Sequence, residues 1–281
     1  MRSDFAAANG NGSAGEHAAA VGAGPGVTVA IPNWNHELLL ARSVGSALRA
    51  VRLLRARGIP ADVLVIDDAS RDGSPVLLRQ LEALYYDDGL RVLALPRNVG
   101  LAGVRNTALR EASYRYVVFM DADNELLPEN LQHFYRAARD TGAAAVYGNL
   151  LSRRRDSGHV AVLSNESFQD RMFDHNYVDA FGVFDRLQLL DCGGYSDHPG
   201  VRSREDWELY LHLAACGRKV VFMPLVFGFY HDLPGSMIKQ SAATEDDQKA
   251  HVKRVFDQLG ARTKLPLNTR HLRYHPDVGY L

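Results

Sequence analysis

Two aspartates, Asp121 and Asp123, stand two residues apart directly after the apolar run Tyr116-Val117-Val118-Phe119-Met120. A short β-branched and aromatic run of this kind predicts a buried strand. If the extended backbone persists beyond it, side chains two apart project to the same side. Paired carboxylate oxygens at the carboxyl end of a central strand suit a hard divalent cation, Mg²⁺ or Mn²⁺, and such a cation can hold a diphosphate. An isolated Asp-x-Asp is more often only a polar exit from a strand, so its meaning rests on what else the chain supplies.

Other polar clusters also follow apolar runs. The run Val27–Ile31 exits into Pro32-Asn33-Trp34-Asn35. There Trp34 can stack on a flat base or serve as ordinary core packing. Val63–Ile66 exits into Asp67-Asp68-Ala69-Ser70-Arg71-Asp72-Gly73-Ser74. One of the two adjacent aspartates can accept a hydrogen bond from a base N–H or a ribose hydroxyl, while Gly73 and Ser74 read as turn and capping residues. Arg91–Leu95 exits into Arg97-Asn98-Val99-Gly100-Leu101-Ala102-Gly103-Val104-Arg105-Asn106, a glycine-containing turn into a helix. It has neither a phosphate-loop pattern nor a dinucleotide fingerprint after the first strand, which weakens the P-loop and nicotinamide-cofactor readings. Further on, Glu205-Asp206 falls at an expected helix start. Acidic residues there complement the helix dipole, or one of them serves as a general base.

The elements that must position these clusters alternate. Strands are expected over 27–31, 63–66, 91–95, 116–120 and 143–147, with helices over 37–57, from Ser74 as N-cap with Pro75 to about 86, over 101–112, and from Pro128 to 141. This alternation predicts an α/β protein with a doubly wound, mainly parallel sheet, whose ligands bind outside the carboxyl ends of the strands. The second half is less regular. It is read as a hairpin tip at 153–158, strands at 179–184, 220–223 and 227–230, a helix over 205–216 with Trp207, Tyr210, Leu211 and Ala214 on one face, and a charged helix over 244–259.

The 281 residues carry a net charge of −1 and 46% hydrophobic side chains, as expected of a globular protein with no general affinity for nucleic acid. No window has the ~18 apolar residues of a membrane span, and the alanine- and glycine-rich start lacks the pattern of a signal peptide. Residues 1–26 are expected to be a disordered extension, 27–260 the α/β domain and 261–281 a tail. Cys192 and Cys216 make neither a disulfide framework nor a metal-ligand spacing. A reducing, cytoplasmic location is the expectation.

Taken in order, Ile31-Pro32-Asn33-Trp34-Asn35, the turn at 67–74, the segment 98–106, Asp121-Ala122-Asp123 and Gly193-Gly194-Tyr195 before Glu205-Asp206 resemble the inverting family 2 glycosyltransferases of the GT-A fold. The resemblance spans about residues 27–240. It implies a site for a nucleotide sugar, expected to be UDP-linked, lined by Pro32, Trp34, Asn35, Asp67, Asp68, Arg105, Asp121 and Ala122. It implies Mn²⁺ or Mg²⁺ bound by Asp121 and Asp123, with His231 of Tyr230-His231-Asp232 as a further ligand or phosphate contact, and Asp206 as catalytic base. Trp34 stands where Tyr is common, and Asn33 where Thr or Ala is common. The implied activity is metal-dependent, inverting sugar transfer to an acceptor hydroxyl that the sequence does not identify. A sugar nucleotidyltransferase is the rival enzyme reading, although Pro-Asn-Trp-Asn stands where a Gly- and Lys-rich loop would be expected. A non-catalytic nucleotide-sugar-binding protein is the rival outside catalysis.

Overall fold

The computed structural model describes residues 24–153, 160–169, 172, 175–196, 204–231 and 250, and the backbone of 274–275 and 279–280. Residues 1–23 of the expected extension, 154–158 of the hairpin tip, all but residue 250 of the helix over 244–259 and nearly all of the tail lie outside the described residues. Seven elements of the first half follow the alternation read from the sequence: β1 (Val27–Asn33), α1 (Glu37–Ala56), β2 (Ala61–Asp67), α2 (Ser74–Tyr85), β3 (Leu90–Ala94), α3 (Gly100–Glu111) and β4 (Tyr116–Phe119). There follow β5 (Glu125–Leu126), α4 (Leu131–Thr141), β6 (Ala145–Arg153), β7 (Val160–Leu163), β8 (Val183–Asp185), α5 (Arg186–Asp191), α6 (Glu205–Ala215) and β9 (Val220–Tyr230). A separate short antiparallel pair joins β10 (Tyr274–His275) to β11 (Gly279–Tyr280).

One sheet runs in the order β3-β2-β1-β4-β8-β6-β9-β5, with β7 added to β6. Its first four strands are parallel, β8 is antiparallel to both β4 and β6, and β9 is parallel to β6. The sheet is thus mostly parallel with antiparallel insertions. β1 and β2 are buried along their whole length, as expected when helices cover both faces of a parallel sheet. Alternate residues separate two cores. Val27, Val29 and Ile31 pack with α1 and α4, while Ala30, Leu64 and Phe119 pack with α3, α5 and α6. Burying a Leu or Val of this kind contributes roughly 1.5–3 kcal/mol. Leu40, Val44, Leu48, Val51 and Leu54 therefore make α1 a principal anchor of the sheet.

The pairing brings all the polar clusters to one edge. The exits of β1, β2 and β4 share it because those strands are parallel. β8 enters at the same edge because Val183 pairs with Val118 and Asp185 with Tyr116. Pro32 sits in a central strand without breaking the ladder, since β4 pairs with β1 only as far as Ala30.

Several expected boundaries shift for identifiable reasons. The fifth strand does not stop at Tyr147 but runs on to Arg153, through an irregularity at Gly148 and Asn149. Opposite it, the two expected strands at 220–223 and 227–230 are the single β9, whose Pro224 falls in the matching bulge. A Cβ on Gly148 would come within 2.5 Å of the Phe134 ring and 2.6 Å of the Leu225 carbonyl oxygen, so only glycine lets the strands pass. The strand expected over 179–184 shortens to Val183–Asp185 because the Asp179 Oδ1 accepts from the Phe181 N–H at 2.8 Å and turns the chain. Helix α2 starts without a Ser74 side-chain cap; the Asp72 Oδ1 accepts from the Ser74 N–H at 2.9 Å.

The loops after β1 and β2 are laced to each other. Glu37 donates its N–H to Asp72 and accepts from the Gly73 N–H, both at 3.0 Å. A Cβ on Gly73 would lie 2.1 Å from the Glu37 carboxylate oxygen. Gly73→Ala should therefore cost about 1–3 kcal/mol in urea unfolding, and Glu37→Ala in the same chain should recover part of that loss because the crowded carboxylate is gone.

Candidate active site

At the exit of β1, Asn33 is buried and its Nδ2 donates to Asp67 Oδ1 at 2.7 Å and to Ser70 Oγ at 3.2 Å. Asn35 takes the left-handed conformation, φ 58°, which asparagine tolerates. Its Oδ1 accepts from the Arg71 N–H at 2.7 Å and its own N–H donates to Ser70 Oγ at 2.9 Å. Between these pinned residues Trp34 is 50% exposed, so the core-packing reading of this aromatic is excluded. Asp67 accepts from Asn33 and Ser70, and Asp68 accepts from the Val99 and Gly100 N–H groups at 2.7 and 2.9 Å. Both aspartates are buried and build the loops. An ionised carboxylate offers about four lone-pair sites, so each keeps some capacity for a ligand. Burial pushes the Asp68 carboxyl up despite the two backbone donors.

Asp121-Ala122-Asp123 follows β4, with Ala122 buried between two partly exposed aspartates. Two cross-links fix this segment. Arg42 Nη2 donates to the Asp123 carbonyl oxygen at 2.9 Å, and Arg42 Nε meets Glu125 Oε1 at 3.1 Å. His231, at the end of β9, donates its N–H to Asn124 Oδ1 at 3.1 Å, and its Nε2 lies 2.9 Å from Glu125 Oε1. The backbone brings it beside the Asp-x-Asp loop, but its ring nitrogen is placed against Glu125. Among the described residues no three His, Cys, Asp or Glu side chains converge as a metal cage.

Arg105 connects this loop to the second half of the protein. It projects from α3 and is only 4% exposed. Its Nη2 donates to Asp121 Oδ1 at 3.0 Å, and its Nη1 lies 3.6 Å from Glu205 Oε1. Its guanidinium sits 5.4 Å from the centre of the Tyr195 ring, within cation–π range. Tyr195 is itself fixed by the next residue of α3. Asn106 Oδ1 accepts from the Tyr195 N–H at 2.8 Å and Asn106 Nδ2 donates to the Tyr195 carbonyl at 2.7 Å. This clamp explains Gly194, φ 73°, where a Cβ would stand 2.6 Å from Asn106 Oδ1.

Asp206, in the first turn of α6, accepts from Asn176 Nδ2 at 3.2 Å and from the Trp207 N–H at 2.7 Å. Trp207 holds the turn in place by donating its indole N–H to the Met172 carbonyl at 2.6 Å. Burial, then the nearby charge of Asp179, push the Asp206 carboxyl up to about 6, against the pull of Arg105 and the two hydrogen bonds. Asp179 is pushed up to about 6 as well, by burial and then by Asp121. Asp123 rises to about 7, by burial and then by Asp121. Burial works against the Arg105 charge, but Asp121, Tyr195, Glu205 and Asp206 more than restore it. Among the described residues the site is thus a cluster of carboxylates gathered around the buried Arg105. Two hard-oxygen donors on one loop, one of them reluctant to ionise beside the other, form a donor set that a divalent cation fits.

Sequence reasoning did not find Asp179 or Asn176, nor the position of Glu205 on Arg105. Asp179 was read as the start of a strand, and only the β4–β8 pairing brings it to the ligand edge. The raised carboxyls carry a testable cost. A carboxyl whose folded pKa lies above its unfolded value binds more protons when folded, so its contribution falls as pH rises from about 4 through about 6. Asp206→Asn and Asp179→Asn should each raise stability at pH 7 relative to the parent chain, by on the order of 1 kcal/mol, and the gain should vanish near pH 4. Urea unfolding at the two pH values measures this.

The glycosyl transferase family 2 profile matches residues 28–205, more than half of the chain. The chain is 26% identical over 228 residues to the succinoglycan biosynthesis protein ExoO of Rhizobium meliloti, covering 76% of this chain and 62% of that protein. It spans about three fifths of the length of the curated relatives it matches. Among solved structures it is similar to S. aureus TarS 1–349 in complex with UDP-GlcNAc, with a TM-score of 0.66 at 17% identity, covering 83% of this chain and 66% of that one. It is also similar to the mannosyltransferase PcManGT from Pyrobaculum calidifontis in complex with GDP-Man and Mn²⁺, with a TM-score of 0.59 at 21% identity, covering 77% and 59%. At such identities the structural likeness is one of fold. With its ordered motifs on a mostly parallel α/β sheet of the GT-A kind, this chain belongs to glycosyl transferase family 2.

Proposed function

We propose that the chain transfers a sugar from a nucleotide-sugar donor, UDP-linked, to an acceptor hydroxyl with inversion at the anomeric carbon. One observation carries this reading: a single buried guanidinium, Arg105, contacts both the Asp-x-Asp loop and the Glu-Asp turn of α6. The residues suited to holding a diphosphate and the residue suited to taking a proton are thereby fixed relative to each other at one strand edge.

In this reading Trp34 stacks on the base, Asp67 or Asp68 accepts from the base or ribose with its remaining lone pairs, and Pro32, Asn35 and Ala122 shape the walls. Asp121 and Asp123 hold Mn²⁺ or Mg²⁺, which when bound offsets the charge of the leaving diphosphate. Arg105 orients Asp121 through its Nη2 hydrogen bond to Oδ1. Asp206 accepts the proton of the acceptor hydroxyl as that oxygen attacks the anomeric carbon. The pKa of about 6 suits this task, because a base is strongest when its pKa approaches the working pH while it remains ionised. Asp179 faces the same group of charges and orients sugar hydroxyls. Family membership removes the nucleotidyltransferase alternative. Among the described residues no helix is long and apolar enough to cross a membrane.

Incubating the chain with UDP- and GDP-sugars, with Mn²⁺ or with chelator, and following donor cleavage and product mass tests the reading. Metal-dependent cleavage is expected; saturable nucleotide binding without turnover toward any acceptor or water would favour a binding protein. For an active donor, the rate should climb with pH up to about 6 and then level. Asp206→Asn should lower the rate about 10²–10⁴-fold and remove that climb, with UDP affinity little changed. Trp34→Ala should weaken UDP binding by about tenfold, a typical effect of losing base stacking. Its melting temperature should stay unchanged, because the ring is half exposed.

A further inference from the structure

The two cysteines, unremarkable in the sequence, meet in the fold. Cys192 closes α5, with its N–H donating to the Gln188 carbonyl, and Cys216 closes α6, with its N–H donating to the His212 carbonyl. The two helix ends are tied by an ion pair between Asp191, beside Cys192, and Arg218, just past Cys216. The Cys216 thiol is hydrogen-bonded to the Cys192 sulfur, and the Arg218 guanidinium also reaches that sulfur. Cys192 is partly exposed and Cys216 exposed, so a small reagent reaches both.

We infer that Cys192 and Cys216 form a dithiol site that a low-molecular-weight disulfide oxidises to an intramolecular disulfide between the ends of α5 and α6. The Cys192 sulfur, which Arg218 reaches, gives up its proton to solvent and attacks one sulfur of the reagent, giving a mixed disulfide and releasing one thiolate. That thiolate takes the Cys216 proton, and the Cys216 sulfur then attacks Cys192 Sγ and expels the second thiolate. Two protein thiols lose two electrons and one reagent disulfide becomes two thiols. The order of attack follows from the surroundings. Partial burial of the sulfur in an otherwise exposed residue, and then the Cys192 sulfur beside it, push the Cys216 thiol up to about 11, which suits it to resolve rather than initiate. The bridge would close a ring through Tyr195, Glu205 and Asp206, the part of the second half that carries the base.

The test treats the full-length reduced chain with oxidised glutathione. The 2 cysteines should both lose thiol reactivity. The intact mass should fall by about 2 Da with no glutathione retained, and non-reducing digestion should yield a peptide joining Cys192 to Cys216. Cys216→Ser should trap glutathione on Cys192, and Cys192→Ser should react at least about tenfold more slowly than the parent. Stable glutathione adducts on both cysteines of the parent chain, or a disulfide-linked dimer, would overturn the pairing. A Cys192→Ser chain that reacts as fast as the parent would overturn the assigned order. The parent-chain readouts need no substitution, so a variant that fails to fold leaves the pairing testable.

Discussion

A guanidinium taken almost wholly out of water must be surrounded by acceptors, and Arg105 is so surrounded by Asp121 on one side and Glu205 on the other. Removing one partner from such a buried arrangement typically costs about 3–5 kcal/mol, because the other charges are left uncompensated. That constraint sets the distance between the exit of β4 and the start of α6, two parts of the chain with no strand pairing between them. The ring of Tyr195 closes the remaining side, and the paired Asn106 hydrogen bonds hold Tyr195 where the guanidinium needs it. Consecutive residues of α3 therefore do two jobs: Arg105 joins the halves electrostatically, and Asn106 joins them through the backbone.

Much of this was legible in the sequence because it depends on local patterns. The alternation of apolar runs and amphipathic stretches gave β1 to β4 and their helices, and the parallel pairing of β1, β2 and β4 brings the polar clusters that follow them to one edge. Asp121 and Asp123 drew attention by their spacing after a strand, whereas Trp34 and Asp206 were singled out by the ordered resemblance to the family. What was not legible depends on pairing over long sequence separations. Nothing near Asp179 indicates that β8 runs antiparallel to β4 and so delivers that carboxylate to the cleft. The continuity of β9 through Pro224 requires knowing that Gly148 lies opposite in a bulge. That Glu125 stands beside the His231 ring depends on the short β5–β9 pair, which no local pattern announces. Likewise the cysteines showed no pairing motif, because only the packing of two helix ends brings them together.

The same electrostatics link stability to chemistry. Asp123, Asp179 and Asp206 all have carboxyls pushed above their ordinary range, first by burial and then by a neighbouring carboxylate, Asp121 for the first two and Asp179 for the third. A fold selected only for stability would separate these groups or neutralise them. Holding them together stores unfavourable charge that a cationic or hydroxyl-bearing ligand relieves, the pattern expected where residues are kept for function.

The measurement that tests the account most directly is made on Arg105→Lys, which keeps the charge but loses the planar fork that serves two carboxylates at once. Donor affinity in the presence of Mn²⁺ and the rate of sugar transfer are measured on the same folded preparation. If Arg105 fixes the donor carboxylates relative to the base, both should fall, each by about tenfold or more. A folded Arg105→Lys chain with parental affinity and parental rate would show that charge alone suffices, and would contradict the coupling of the two halves through this side chain.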